Sequence, residues 1–445
     1  MSGPQLRTLL RFAVPSSIGV LLFLTPVTWD GGQQIVVGVL ANSLNDALGP
    51  FMPFVINALF LTSAIGSSAA LLLQPRWLMR NEVLRDIFVT TAPWLALRVL
   101  GGLFSTLVAW KLGPEWMIGP DTGQVAYVQL AGLIFCIMLV ANCLLPLLTD
   151  YGFLDFVGTL LTRFFDRVFR LPGRAALDAV TSWVGDSSVG ALLTIKQYEG
   201  GHYTAREAAV VVTNFSAVSL PFCLVITQLA HLDHMFFTFY LTATFCGILC
   251  ALITPRLPPL SRMLETRVTE VETPTDAGAE RPVFARAWAN ALAAAERGPT
   301  ARQIAVHAGR TILDIYMAVL PAAMTIEFLA LVVVTYTDLL TWLSYPMLPL
   351  LWLAQVPDAM AVLPGTLIGF FDQFIPAIIS ADIDDPVARF VLAGLSVTQL
   401  IFIAENGILI LRSPIPITLG QLAAIFLLRT VISLPVLAVA GHLLF

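Results

Sequence analysis

The sequence predicts an all-α polytopic membrane protein, with about nine transmembrane helices plus two re-entrant helical hairpins in inverted-topology repeats. Three observations carry this: scarce charge, apolar runs of spanning length, and an order of segments that occurs twice. The 445 residues are 57% hydrophobic and only 12% charged, with a mean hydropathy of +0.83. A soluble domain carries about 25% charged residues. The bilayer core demands ~20 apolar residues per helix, and such runs recur along most of the chain.

Spans are expected near residues 9–29, 51–73, 87–112, 123–148, 203–229, 234–254, 310–336, 386–412 and 417–442. Residues 33–48 alternate apolar and polar and suit a short surface or re-entrant helix. Residues 153–170 place Arg163, Arg167 and Arg170 on one face, as an interfacial helix does. Residues 338–352, with Trp342, Tyr345 and Trp352, suit a second one. The five Cys lie in apolar runs with no paired or zinc-like spacing, so packing is the reading for them. No cleavable signal is evident.

The basic residues set an orientation. With the N-terminus in the cytoplasm, all 24 Lys and Arg except Arg98, Lys111, Arg389 and Arg429 fall on the inner side. A bacterial inner membrane is the expected setting. The polar stretch 257–305 reads as a cytoplasmic linker rather than a folded domain. The expected organisation is therefore scaffold helices (1–122), a first repeat (123–256) with a hairpin at 174–198, the linker (257–305), and a second repeat (306–445) with a hairpin at 357–381.

The repeats share an order of events. Pro172 answers to Pro357, Asp186 to Asp372 and Asn214 to Gln399, each pair 185 or 186 residues apart. Each repeat holds an apolar stretch broken by an acid, then a span with a polar centre. The first unit begins outside and the second inside, so the repeats are inverted. Secondary transporters use this architecture and bind solute near the midplane, where half-helices end. Irregular backbone survives there only when it lines a cavity or is buried in protein.

Acids expected inside the membrane are functional candidates by default. Asp186 and Asp372 lie at the two hairpin tips, where each also suits a helix N-cap. Glu405, with Asn406 and Gly407, interrupts the eighth span; pairing with Arg429 is the structural alternative. Asn214 and Gln399 either bind solute or bridge helices. Thr213, Ser216, Ser219 and Thr398 read first as helix-packing residues. Pro221 frees a carbonyl, which makes 216–219 a candidate cation site. Glu327 falls inside the seventh span and Arg98 inside the third; they either pair or lie near span ends.

The runs Pro146-Leu-Leu-Thr-Asp-Tyr-Gly-Phe-Leu154, Arg170-Leu-Pro-Gly-Arg-Ala-Ala176, Ser182-Trp-Val-Gly-Asp-Ser-Ser-Val-Gly190 and Tyr203-Thr-Ala-Arg-Glu-Ala-Ala209 resemble the YjiH family. So do Pro15-Ser-Ser-Ile-Gly19 and Asp30-Gly-Gly32. That family carries the gate, or nucleoside-recognition, domain of concentrative nucleoside transporters and of the ferrous-iron permease. The resemblance implies a concentrative-nucleoside-transporter-like fold and an elevator-type mechanism. It implies solute contacts at Gly185, Asp186, Ser187, Ser188, Asn214, Asp372, Gln373, Gln399, Glu405 and Asn406. It implies a coupling cation, Na+ or H+, among Ser182, Asp186, Ser216 and Ser219.

The expected function is secondary active transport of a small polar solute. The alternatives are a nucleoside- or nucleobase-specific carrier and a non-transporting scaffold or assembly subunit. A homo-oligomer, dimer or trimer, is expected in the bilayer. Catalysis has no support: no phosphate loop, Ser/His/Asp order or metal motif occurs, and no cofactor beyond Na+ is implied. The basic residues follow the membrane side rather than a compact patch, which argues against nucleic-acid binding.

Overall fold

The computed structural model describes residues 3–29, 32–184, 187–215, 219–268 and 282–445. The protein is all-α and polytopic apart from one strand pair. Helix α1 (Gly3–Phe23) is followed by strands β1 (Pro26–Trp29) and β2 (Gly32–Ile35), paired antiparallel with Pro26 opposite Ile35. Next come α2 (Val36–Leu48), α3 (Met52–Leu72) and α4 (Ala92–Ala109), then a wide-turned segment Pro120–Leu130 that runs into α5 (Ala131–Leu144). Helices α6 (Phe153–Phe164), α7 (Ala175–Val184), α8 (Ser187–Glu199), α9 (Ala205–Asn214), α10 (Leu220–Leu229) and α11 (Phe236–Ile253) follow. After α12 (Val283–Arg297), α13 (Ala301–Asp314) continues through a second wide turn into α14 (Leu320–Tyr336). The chain closes with α15 (Gly365–Ile368), α16 (Ile375–Ala381), α17 (Pro386–Thr398), α18 (Ile408–Arg412) and α19 (Leu419–Leu444).

Among the described residues, seven stretches are long and apolar enough to cross a membrane: Leu6–Phe23, Val36–Leu72, Ala92–Ala109, Glu115–Thr149, Phe236–Arg262, Ala301–Tyr336 and Leu419–Leu444. The other two expected spans, 203–229 and 386–412, are each divided into two shorter helices. The first expected span stops earlier than its apolar run. Pro26 cannot continue a helical ladder, and Val27, Thr28 and Trp29 favour strand. Residues 33–35, expected in a helix, belong to β2, and Gln34 Nε2 donates to Asp233 Oδ2 at 2.9 Å.

By contacts the chain forms two compact units. One contains residues 1–36, 144–299 and 343–445; the other contains 37–143 and 300–342. In the second unit α3, α4 and α14 pack closely through small residues. A Cβ on Gly101 would stand 2.6 Å from Pro321 O and 2.7 Å from Thr325 Oγ1, so only glycine fits. Buried Arg98 there donates to Ser67 Oγ at 2.8 Å and to Ile87 O at 2.9 Å.

The first unit holds both hairpin regions and both divided spans. Its core stacks Phe165, Phe169 and Phe215, with ring centroids about 5 Å apart, against Tyr203, Ile401 and Phe426. The stretch 257–305, read from sequence as a cytoplasmic linker rather than a folded domain, contributes an ordered helix to this unit. Ala287, Ala291 and Ala295 recur every four residues and form the buried face of α12, which packs on α6 and α1. Arg11 ties its end down by donating to Gly298 O at 2.9 Å, and Tyr151 donates to Pro299 O at 2.9 Å. Residues 269–281 of that stretch lie outside the described residues.

Candidate functional site

Both divided spans stop for local reasons. Helix α9 opens on a reciprocal cap: Glu207 N donates to Thr204 Oγ1 at 3.1 Å, and Thr204 N donates to Glu207 Oε2 at 2.8 Å. It ends at Asn214, and α10 begins beyond Ser219 with Pro221 in its first turn. Helix α17 opens on Asp385, whose Oδ1 accepts from Val387 N and Ala388 N at 2.8 and 3.0 Å. It ends at Thr398. Leu400 then adopts a left-handed φ of 60°, a conformation that costs a non-glycine residue. A wide turn over Ile403–Gly407 leads into α18, and Ile403 N donates to Phe370 O at 2.8 Å, which ties the break to the second hairpin region.

Asn214 and Gln399, matched across the repeat by sequence, both stand at the ends of these half-helices. Asn214 Oδ1 accepts from Thr254 Oγ1 at 2.6 Å and from Arg429 at 2.8 Å, while Nδ2 donates to Val210 O at 3.2 Å. Gln399 is fully buried, and its Nε2 donates to Thr366 O at 2.8 Å and Thr430 Oγ1 at 2.9 Å. The Thr366 carbonyl can only accept, so the amide orientation is fixed. Oε1 is left without a partner, against Gly369, where a Cβ would overlap it. Asn406 is 2% exposed, and its Oδ1 also lacks a partner. Buried polar atoms are nearly always satisfied, so two orphan acceptor oxygens at one break mark a place for donors.

The first hairpin region pairs α7 with α8. Ser182 is buried, and a Cβ on Gly190 would overlap its Oγ and stand 2.8 Å from its Cβ. Deeper in, Asp178 Oδ2 accepts from Tyr203 Oη at 2.8 Å and Thr194 Oγ1 at 3.2 Å. Sequence reasoning missed this cluster, because Asp178 and Thr194 read as ordinary helix residues until the two helices are folded back on each other. Gly185 and Asp186 lie outside the described residues, as does Ser216. The backbones of Ser187 and Ser188 open α8, and that of Glu405 lies in the wide turn; the side chains of all three lie outside the description. Ser219 is buried at the start of α10.

The second hairpin region is less regular than the first, since Pro364, Gly365 and Pro376 cut it into short helices. Asp372 and Gln373 are buried at its turn, and Asp372 Oδ1 accepts from Phe374 N at 2.7 Å, a capping role. Helix α10 packs on α16 and α17, with Phe222 and Phe374 ring centroids 5.8 Å apart. The first broken span thus meets the second repeat.

Arg429 on α19 joins the two breaks. It is fully buried. Its Nε and one Nη donate to Thr398 O at 2.9 and 2.7 Å, and the other Nη reaches Asn214 Oδ1 at 2.8 Å and Thr213 O at 3.4 Å. Beside it lies a cavity of about 30 Å3 lined in part by Trp183, Asn214, Tyr240, Thr398 and Arg429. The sequence offered Arg429 only as a partner for Glu405. The available signal was a single Arg in the most apolar part of the last span.

Residues 131–232 match the Gate family, described as nucleoside recognition. A protein of Alkalihalophilus pseudofirmus, itself uncharacterised, is 39% identical over 438 residues, covering 98% of this chain and 95% of that one. The chain belongs to one family with that protein and carries a Gate, or nucleoside-recognition, domain. With seven described stretches long and apolar enough to cross a bilayer, it is a membrane protein. Solved structures of variants of the transporter CNTnw share a loose similarity with this gate-domain protein. One in an outward-facing state is 15% identical with a TM-score of 0.39, covering 98% of this chain and 96% of that one. One in the intermediate 3 state is 13% identical with a TM-score of 0.40, covering 98% of each.

Proposed function

We propose that this gate-domain protein is a secondary active transporter of a small polar solute, coupled to Na+ or H+. The observation that carries the reading is the pair of buried, unpartnered acceptor oxygens, Gln399 Oε1 and Asn406 Oδ1, at a helix break. A solute offering N–H or O–H donors satisfies them; an apolar one leaves them orphaned. The solute contacts are assigned to these two residues with Gly185, Asp186, Ser187, Ser188, Asn214, Asp372, Gln373 and Glu405. The coupling cation is assigned to Ser182, Asp186, Ser216 and Ser219. The reading takes the exchange to be of the elevator type, with the solute held where half-helices end. The reading further takes the protein as a homo-oligomer of the bacterial inner membrane with its N-terminus in the cytoplasm.

A narrower reading is a nucleoside or nucleobase carrier. The description of the matched family favours it, and such solutes carry amino and hydroxyl donors. Thermal stabilisation of the purified protein over a metabolite panel that includes nucleosides and nucleobases, with and without Na+, tests both. A donor-bearing solute is expected to raise Tm, and Na+ to add to that rise if it is the coupling ion. If no solute in the panel raises Tm or enters proteoliposomes, the transport reading is wrong; if only non-nucleoside solutes do so, the narrower one is.

A further inference from the structure

Three facts meet at Arg429. The guanidinium is fully buried, and an arginine stays charged in a protein. Among the described residues the ion pairs are Arg85 with Asp86 and Arg206 with Glu265, so no described carboxylate balances it. The oxygens that do receive it are the Thr398 and Thr213 carbonyls and Asn214 Oδ1, and these stand at the last residues of α17 and α9.

A helix C-terminus carries roughly half a negative charge, concentrated on the carbonyls left without an intrahelical donor. Two such ends sum to about −1, which one guanidinium matches. In a broken-helix membrane protein, carbonyls exposed in this way are what hold a cation. Here a side chain of α19 has taken that place. The flat, forked guanidinium suits it, because one edge serves Thr398 O while the other serves the end of α9.

We propose that Arg429 is a tethered cation: it fills, with a charge covalently part of the protein, a monovalent-cation locus formed by the converging C-terminal ends of α9 and α17. The proposal rests on the fold alone and stands whether or not the transport reading does. Its consequence for that reading is definite. A soluble coupling ion binds elsewhere in the molecule, and removal of the Arg429 side chain creates a new site for a small cation.

The test uses the full-length protein in detergent. Arg429→Lys keeps the charge, and Arg429→Gln keeps hydrogen-bond donors without it. Arg429→Gln is expected to melt roughly 5–10 °C below the wild type, and Arg429→Lys clearly above Arg429→Gln. If Arg429→Gln is as stable as Arg429→Lys, charge is not what the site needs and the proposal fails. In Arg429→Ala, guanidinium at low millimolar concentration, or Na+ or K+ in place of choline at fixed ionic strength, is expected to restore part of the lost Tm. That gain must exceed any gain in the wild type; an equal or smaller gain overturns the proposal. A last comparison separates the helix ends from Glu405. If Glu405→Gln with Arg429→Gln loses no more Tm than either change alone, Glu405 is the counter-ion and the tethered-cation assignment is overturned. Additive losses support it.

Discussion

Replacing Gln399 by leucine separates a binding residue from a packing one. The change removes two hydrogen bonds, to Thr366 O and Thr430 Oγ1, each worth ~0.5–1.5 kcal/mol net. It leaves the Thr366 carbonyl without this donor, at ~1–3 kcal/mol. Thr430 Oγ1 keeps its own bond to Phe426 O at 2.9 Å. Against these losses, the orphan Oε1 disappears, and with it a desolvation cost of ~1–3 kcal/mol. The carbonyl cost and this relief cancel, so the empty protein loses the two bonds, about 1–3 kcal/mol. The solute suffers differently. A donor that meets Oε1 in the wild type meets a methyl group in the variant and stays buried and unpaired. That costs ~1–3 kcal/mol, or roughly a 5- to 150-fold rise in Kd. Thermal denaturation gives the first quantity and titration calorimetry with the solute found by the panel gives the second. A variant that binds with wild-type affinity while losing several degrees of Tm would show that Gln399 only bridges helices.

Three further outcomes follow from the geometry. Gly190→Ala overfills the first hairpin at Ser182 and lowers stability by ~1–3 kcal/mol; Ser182→Gly in the same chain recovers most of the lost Tm, because it removes the atoms that the new Cβ strikes. Tyr203→Phe deprives the buried Asp178 carboxylate of its shorter hydrogen bond and costs ~1.5–3 kcal/mol, read as an earlier urea or thermal transition; no change would mean that Thr194 alone satisfies the carboxylate. Burial pushes the Asp155 carboxyl on α6 above the usual carboxylate range, with Arg297 opposing the shift. The folded state therefore holds that proton more tightly than the unfolded chain, and stability at this residue falls as pH rises through the raised pKa. Asp155→Asn removes the dependence, so its Tm advantage over the wild type grows from acid to neutral pH.

The sequence made both breaks legible because their causes are local. Pro221 suits the first turn of a new helix, Gly407 follows two polar residues in an apolar run, and Asn214 and Gln399 recur at matching positions. The strand pair at 26–35 was hidden by its apolar residues, which fill a span as readily as a strand. The docked α12 was hidden in a polar stretch, since an alanine face announces itself only when α6 is there to receive it. Arg429 was visible as an anomaly, but its acceptors lie 31 and 215 residues away. No pattern along the chain reports a contact of that range.

The place of Arg429 in the order of synthesis has its own consequence. Helix α19 leaves the ribosome after α9 and α17, and a charge at the centre of a nascent helix raises its insertion cost by ~2.5–3.5 kcal/mol. The Leu, Ile, Val and Phe residues around it in α19 offset that cost. The oxygens that receive the guanidinium belong to α9 and α17, which are already in the bilayer when it arrives. Biogenesis therefore delivers the charge into a prepared cradle, and inserting α19 closes both carbonyl ends. A product terminated before residue 419 is left with two exposed carbonyl ends in hydrocarbon, the kind of defect that membrane proteases and chaperones recognise.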